Sequence, residues 1–214
     1  MAHNLSILQS EHETLARDRT VLLKRVLVGS ALGVAWGASL RGWMAWLAVE
    51  LGDPPRFTWF GTFGGILLPI AVVGALLGAA SYDAERSVRT RWRWAILSPL
   101  LLPVAAAAVT ENFFATLITT GMGSGAIGVA LIGILGGYAL SGFGASWLRW
   151  ISGALTALFA VATVYPFFAS GSASGAIPSA SKAYGALLFV LLMALLVVGV
   201  SAPARYHVRQ PTAG

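Results

Sequence analysis

Six runs of mostly apolar residues, each about 20 residues long, alternate with short polar segments along the 214-residue chain. A helix needs roughly 20 apolar residues to cross the hydrocarbon core of a bilayer, which is about 30 Å thick. The pattern therefore predicts an all-α transmembrane protein with a single membrane domain over residues 26–203. Its six spans are predicted at 26–49, 59–80, 94–117, 123–143, 150–169 and 183–202.

We interpret the two ends of the chain as polar tails. Residues 1–25 mix both signs of charge and lack the basic-then-apolar order of a cleavable signal. Leucines recur there at near-helical spacing, so this tail is either an amphipathic helix on the membrane surface or a solvated, partly ordered segment. Residues 204–214 form the second tail.

The distribution of basic residues predicts the orientation in the membrane. Cytoplasmic segments of membrane proteins carry an excess of Lys and Arg. With the N-terminus in the cytoplasm, eleven of the 14 Lys and Arg residues fall on that side, and only Arg41, Arg56 and Lys182 fall on the other. We therefore predict that both termini are cytoplasmic.

Composition indicates a bilayer as the solvent and excludes several kinds of site. Hydrophobic residues make up 57% of the chain and charged residues 10%, against about 25% charged in soluble domains. Cysteine is absent and the three histidines lie in the tails, which excludes thiolate sites and histidine-bound metal inside the membrane. Common hydrolase, nucleotide-binding and metalloprotease motifs are missing. We predict no cofactor, and we rank a lipid-modifying enzyme third among the function classes.

The net charge of +6 does not indicate nucleic-acid binding. Basic residues flank transmembrane helices because insertion requires them there, and no dense basic and aromatic stripe lies on a soluble face. The densest basic segment separates the second and third spans. It determines topology and predicts contact with anionic lipid headgroups through four arginines: Arg86, Arg89, Arg91 and Arg93.

Arg41 and Glu111 are the charges placed deepest in the predicted spans. A charge inside hydrocarbon is costly and usually has a partner or a task. With a rise of about 1.5 Å per residue, Arg41 lies about 22 Å from the start of the first span and Glu111 about 25 Å from the start of the third. Both reach the outer third of the bilayer. Asn112 lies beside Glu111, and Asp53 and Arg56 lie just above, at the outer surface.

Three interpretations of Arg41 and Glu111 remain open. Arg41 extends alone to the outer headgroups, or it pairs with Glu111 and joins two helices, or the two line a path for a solute or a proton. The third interpretation makes Glu111 a titrating group.

Glycines and prolines predict how the helices pack and bend. A spacing of four residues places glycines on one helix face, where backbones approach closely. Such faces favour packing within the chain or, alternatively, contact with a second copy or another membrane protein; they contain Gly29, Gly33, Gly37, Gly133 and Gly137. Prolines inside spans remove a helical hydrogen bond and predict kinks or, alternatively, a broken-helix binding site; these are Pro69, Pro99 and Pro103.

The first outer turn carries a more distinctive pattern. Leu-Arg-Gly-Trp-Met at 40–44 is followed by Pro-Arg-Phe-Thr-Trp-Phe-Gly-Thr at 55–62. This resembles small uncharacterised bacterial polytopic membrane proteins, which typically read Arg-x-Trp-Met-Arg and then Pro-x-Phe-Ser/Thr-Trp-x-Gly-Thr. The similarity covers about residues 29–78, and Ala45 stands where the second arginine is expected. The resemblance implies a multi-pass protein of the bacterial cytoplasmic (inner) membrane and brings no activity with it.

These features together favour a transporter of a small solute or ion, or a channel-like protein, with Arg41 and Glu111 at its outer vestibule. The alternative is a non-transporting accessory or scaffold subunit that binds another membrane protein, or a second copy, through its glycine faces.

Overall fold

The computed structural model describes residues 2–50, 57–86, 90–120, 124–169 and 179–208. Within these ranges the chain is all-helical and has no strand, as the apolar pattern predicts. In chain order the helices are α1 (Ala2–Glu50), α2 (Phe60–Glu85), α3 (residues 90–109), α4 (Phe113–Thr120), α5 (Ser124–Leu140), α6 (Ser146–Ala169) and α7 (Ser179–Val208).

Four of the described helices are long and apolar enough to cross a membrane. They lie within α1, α2, α6 and α7, at Ala16–Glu50, Phe60–Glu85, Ser146–Tyr165 and Ala180–Arg205. Two further apolar helices are shorter, α5 and the part of α3 over Arg93–Val109. The prediction of an all-helical chain with several helices long enough to span a membrane is confirmed for the described residues.

The first and last helices extend beyond the predicted spans. α1 is continuous from Ala2 to Glu50, so the helix of the first predicted span also includes residues 2–25. A location of residues 2–25 on the membrane surface as an amphipathic helix stays a prediction. α7 continues to Val208 with Pro203 inside it, fully buried. The helix of the last predicted span therefore contains a proline that lies one residue beyond the predicted end of that span at 202.

The first eight residues of α2 form an irregular helix. Phe60–Leu67 is a π-helix, and the Leu68 N–H donates to the Phe63 carbonyl, five residues back. Pro69 follows directly and has no N–H to continue the usual ladder. The wide turn thus lies directly before the proline.

α3 begins as a tight helix and continues as an ordinary one. Thr90–Leu100 is a 3₁₀ helix that contains the fully buried Pro99. Leu101–Val109 is α-helical, with Pro103 in its first turn. Because proline cannot donate a backbone hydrogen bond, both residues lie in or next to the part of the helix that departs from α geometry.

The third predicted span is interrupted, which corrects the expectation of one continuous helix over 94–117. The α-helix of α3 ends at Val109, Thr110 is extended, and Asn112 has a left-handed backbone with φ of 52°. Asparagine tolerates this conformation better than most residues and commonly ends a helix there. Glu111 therefore lies in a turn between α3 and α4 rather than on a helix face.

The core lies among α2, α5 and α7, with α1 and α6 at the periphery. The most buried large side chains include Val73, Ile132 and Val200, from these three helices. In the most apolar windows of α2 and α7, 33% and 39% of the residues are buried, against 6% in those of α1 and α6. α1 packs mainly along α2, and α5 packs between α6 and α7.

Glycines bring α1 and α2 into backbone contact. A Cβ added at Gly29 would overlap the Gly74 carbonyl oxygen, and one added at Gly74 would overlap the Gly29 carbonyl oxygen. Gly33 meets the carbonyl of Ile70 in the same way, while Gly37 faces the Ile70 side chain. The glycine face of the first span is therefore filled by α2 of the same chain.

The glycines of α5 serve the same kind of packing against side chains. A Cβ at Gly133 would lie 3.1 Å from the Leu196 side chain and 3.4 Å from that of Pro99. Gly137 faces the Val200 side chain. Both glycines let α5 approach α7, and Gly133 also lies next to α3.

Candidate functional site

Arg41 lies half-buried on α1 and contacts α2. Its Nε donates to the Thr62 hydroxyl over 3.5 Å, and Thr62 is buried. This contact uses one of the five N–H donors of the guanidinium. The deepest predicted cation thus lies at the junction of α1 with the π-helical start of α2.

Glu111 and Asn112 are exposed in the turn between α3 and α4. Among the described residues the ion pairs are Arg25–Glu85 and Arg86–Asp18, and neither includes Glu111. No Arg41–Glu111 ion pair is among them, and the helix break removes Glu111 from the helix face on which its predicted depth depended.

The other predicted outer residues, Asp53 and Arg56, lie outside the described residues. Close to them in sequence, Glu50 accepts a hydrogen bond of 2.7 Å from the Ser181 hydroxyl. This contact joins the end of α1 to the start of α7 and was not anticipated from the sequence.

The predicted headgroup arginines differ in their surroundings. Arg86 pairs with both carboxylate oxygens of Asp18 and lies 4.6 Å from the centre of the Tyr82 ring. Arg93 lies 5.6 Å from the centre of the Phe143 ring. The placement of Arg89 and of the Arg91 side chain falls outside the described part of the chain. Contact of this group with lipid headgroups stays a prediction.

A cavity of about 670 Å³ lies between α1, α2 and α7 and is here called the lateral groove. It follows one face of α1 from Lys24 to Ser39, which is a length of about 22 Å at the α-helical rise. Two of its lining leucines, Leu32 on α1 and Leu195 on α7, are 66% and 64% exposed. The groove therefore opens on the outer, apolar surface of the helix bundle.

The walls of the lateral groove offer few polar groups. The Ser39 hydroxyl bonds to the Ala35 carbonyl at 2.9 Å, and the Ser81 hydroxyl bonds to the Leu77 carbonyl at 2.8 Å, each within its own helix. These hydroxyl donors are occupied. The remaining polar side chains that line the groove, apart from Trp36, are Lys24 and Arg25, together at one end.

Trp36 fixes the spacing of α1 and α7 along the lateral groove. Its indole Nε1 donates to the Leu192 carbonyl at 2.7 Å, and both residues line the groove. A second tryptophan, Trp43, donates in the same way to the Gly185 carbonyl at 2.9 Å. The indoles satisfy their own N–H groups and link α1 to α7 at two points.

A second cavity of about 470 Å³ adjoins the lateral groove on the side away from Lys24. Both cavities share Ser39, Leu192 and Leu195, and the second continues along α1 and α7 to Trp46 and Tyr184. Neither of these two cavities is lined by Arg41 or Glu111.

No family model, curated protein or solved structure matches the chain.

The lateral groove offers an apolar wall and a cationic end. The described residues contain no group of three or more potential metal ligands. The lateral groove combines an apolar wall with a cationic end, and such a surface binds by burial and charge.

Sequence reasoning did not find the lateral groove. One signal was present, because Lys24, Val28, Leu32 and Trp36 recur every four residues beside the glycine face of α1. The groove nevertheless depends on α7, and the pattern along α1 does not indicate which distant helix forms its other wall.

Proposed function

We propose that the chain is a multi-pass protein of the bacterial inner membrane that takes up an amphipathic small molecule from the bilayer through the lateral groove. The observation that carries the proposal is the groove itself, apolar along about 22 Å, open sideways and cationic at one end. The sequence favours a transporter of a small solute or a channel-like protein, and the groove restricts the solute to one that is dissolved in the membrane.

The width of the lateral groove supports a hydrocarbon chain as its occupant. A volume of about 670 Å³ over about 22 Å of helix corresponds to a mean cross-section of about 30 Å². A single flexible chain fits this space.

Transport of an ion or a polar solute has less support. That role was predicted for a path lined by Arg41 and Glu111, and neither residue lines the lateral groove or the cavity that adjoins it. The accessory-subunit alternative relied on glycine faces, and Gly29 and Gly33 are covered by α2. These two functions therefore have less support than uptake through the groove.

We propose six spans for this protein, with both termini in the cytoplasm. The two shorter apolar helices come close to the length that a span requires, although they contain few residues. Eight residues of 3₁₀ helix rise about 2 Å each, so Arg93–Val109 extends over about 30 Å. α5 has 17 residues, the lower limit of the usual range for a span.

Filling the lateral groove tests the proposed function. A Cβ at Gly199, which lines the groove, would meet nothing within 4 Å, so the side chain of Gly199→Leu begins in open space. Gly128 on α5 also has open space around it and does not line the groove, which makes Gly128→Leu the matched control. The readout is the number of lipid molecules retained per protein after purification in dodecyl maltoside, counted by native mass spectrometry.

We expect Gly199→Leu to retain fewer lipids than the unaltered protein and Gly128→Leu to retain the same number. Equal retention in all three proteins would show that the groove holds no amphiphile, and the proposed function would then be wrong.

A further inference from the structure

We infer that the lateral groove selects a phospholipid with a negatively charged headgroup, whose phosphate faces Lys24 and one of whose acyl chains lies along α1. The inference rests on the proposed function and adds the chemical class of the occupant.

Charge at the end of the lateral groove supports an anionic headgroup. Lys24 and Arg25 are its charged lining residues, and no acidic side chain lines it. Arg25 pairs with Glu85 at 2.6 Å, which neutralises one of the two cations. Lys24 is exposed and makes no ion pair with another described residue. The groove therefore ends at one uncompensated positive charge.

The position of Lys24 suits a headgroup phosphate. Residues 26–49 are the apolar run of the first predicted span, so Lys24 lies two residues outside it, where the headgroup layer begins. The groove extends about 22 Å from Lys24, and half of a bilayer's hydrocarbon core is about 15 Å thick. An acyl chain of one leaflet can thus lie in the groove while its phosphate remains beside the lysine ammonium.

Lys24 is also the group best suited to recognise the phosphate. The hydroxyls of Ser39 and Ser81 and the indole of Trp36 already donate to backbone carbonyls. The lysine ammonium is a compact charge with three donors on a flexible stem, which accommodates a mobile headgroup. With the predicted orientation this headgroup belongs to the cytoplasmic leaflet, where anionic lipids attract basic residues near the surface.

The test compares two lipids that differ only in headgroup charge. Delipidated protein is titrated with dioleoyl phosphatidylglycerol or with dioleoyl phosphatidylcholine, and bound lipid is counted by native mass spectrometry. One basic residue near a membrane surface favours an anionic lipid by about fivefold in affinity. We expect the unaltered protein to prefer phosphatidylglycerol by about this factor.

Three variants, two at Lys24 and one at Lys182, identify the residue responsible for the lipid preference. Lys24→Gln is expected to reduce the preference to below about twofold, since it removes the single uncompensated charge. Lys182→Gln, the only other lysine, is the matched control and should keep the full preference. Lys24→Arg keeps the charge and should restore most of the preference.

The outcomes separate the headgroup inference from the proposed function. If Lys24→Gln keeps the full preference, or if the unaltered protein binds both lipids equally, the headgroup inference is wrong. The groove function then still stands, provided that Gly199→Leu lowers binding of both lipids. Displacement of phosphatidylglycerol by excess inorganic phosphate, or a copurifying polypeptide in place of lipid, would also overturn the inference.

Discussion

Two backbones approach each other so closely at Gly29 and Gly74 that neither position can accept a side chain. A Cβ at either glycine would overlap a carbonyl oxygen of the other helix, and a backbone cannot move aside as a flexible side chain can. Overpacking of this kind typically costs about 1–3 kcal/mol. We expect Gly74→Ala to lower the free energy of unfolding by at least about 1 kcal/mol.

The matched control for Gly74→Ala is Gly128→Ala, whose Cβ meets open space. It should be neutral or stabilising, because alanine favours a helix over glycine by up to about 1 kcal/mol. Unfolding by sodium dodecyl sulfate in mixed micelles measures both variants. Equal midpoints for the two would contradict the glycine contact between α1 and α2.

Asn112 holds the turn that separates α3 from α4. Its φ of 52° lies in the left-handed region, where a residue with a Cβ costs roughly 1–2 kcal/mol and glycine costs far less. We expect Asn112→Gly to preserve or raise stability and Asn112→Ala to lower it by about 1 kcal/mol. The same unfolding assay measures the difference, and a more stable Asn112→Ala would indicate that α3 and α4 are one helix.

At the scale of the helices, charged contacts join α1 to α2 at one end of the pair. Arg25 contacts Glu85 and Asp18 contacts Arg86, so both ion pairs cross the same interface. The side chains of Arg25 and Glu85 are 31% and 36% exposed, and pairs accessible to water contribute at most about 1 kcal/mol.

A double-mutant cycle of Arg25→Gln and Glu85→Gln measures this contribution directly. We expect a coupling free energy below about 1 kcal/mol, which decreases further as salt is added. A coupling above about 2 kcal/mol, insensitive to salt, would mean that the pair is desolvated.

The helices themselves were largely predictable from the sequence, and their irregularities were only partly so. Apolar runs located every major helix, because length and hydropathy decide where a membrane helix forms. The π-helix of α2 ends two residues before Pro69 and the 3₁₀ helix of α3 contains Pro99, whereas Pro103 lies in ordinary α-helix. Kinks at these three prolines stay a prediction. The break at residues 110–112 was missed, because the polar residues Thr110, Glu111 and Asn112 were interpreted as side chains within a continuous span rather than as a turn.

At the scale of the whole molecule, the proposed topology is open to a direct test because the chain contains no cysteine. Single cysteines at Ser6, Glu111 and Thr212 can be labelled with a membrane-impermeant maleimide in intact spheroplasts. We expect label at Glu111→Cys before lysis, and at Ser6→Cys and Thr212→Cys only after lysis. Labelling of either terminus before lysis would contradict the predicted orientation.

The candidate site was less predictable than the fold, because it depends on how several helices pack together. Arg41 and Glu111 were matched by depth along two separate helices, and depth does not determine which helix faces which. The lateral groove combines residues from 24 to 202, and only the packing of α7 beside α1 and α2 creates it. A charged residue can be identified directly from the sequence, whereas a groove forms only when several helices pack together.

The sideways opening of the lateral groove has a consequence for how occupancy should be expressed. An occupant that arrives through the bilayer is counted by its mole fraction among the lipids, and its concentration in water has little bearing. Binding to the folded state alone raises stability in proportion to the logarithm of that fraction. The resistance of this protein to unfolding should therefore vary with the lipid composition of its membrane, even where nothing is added to the surrounding solution.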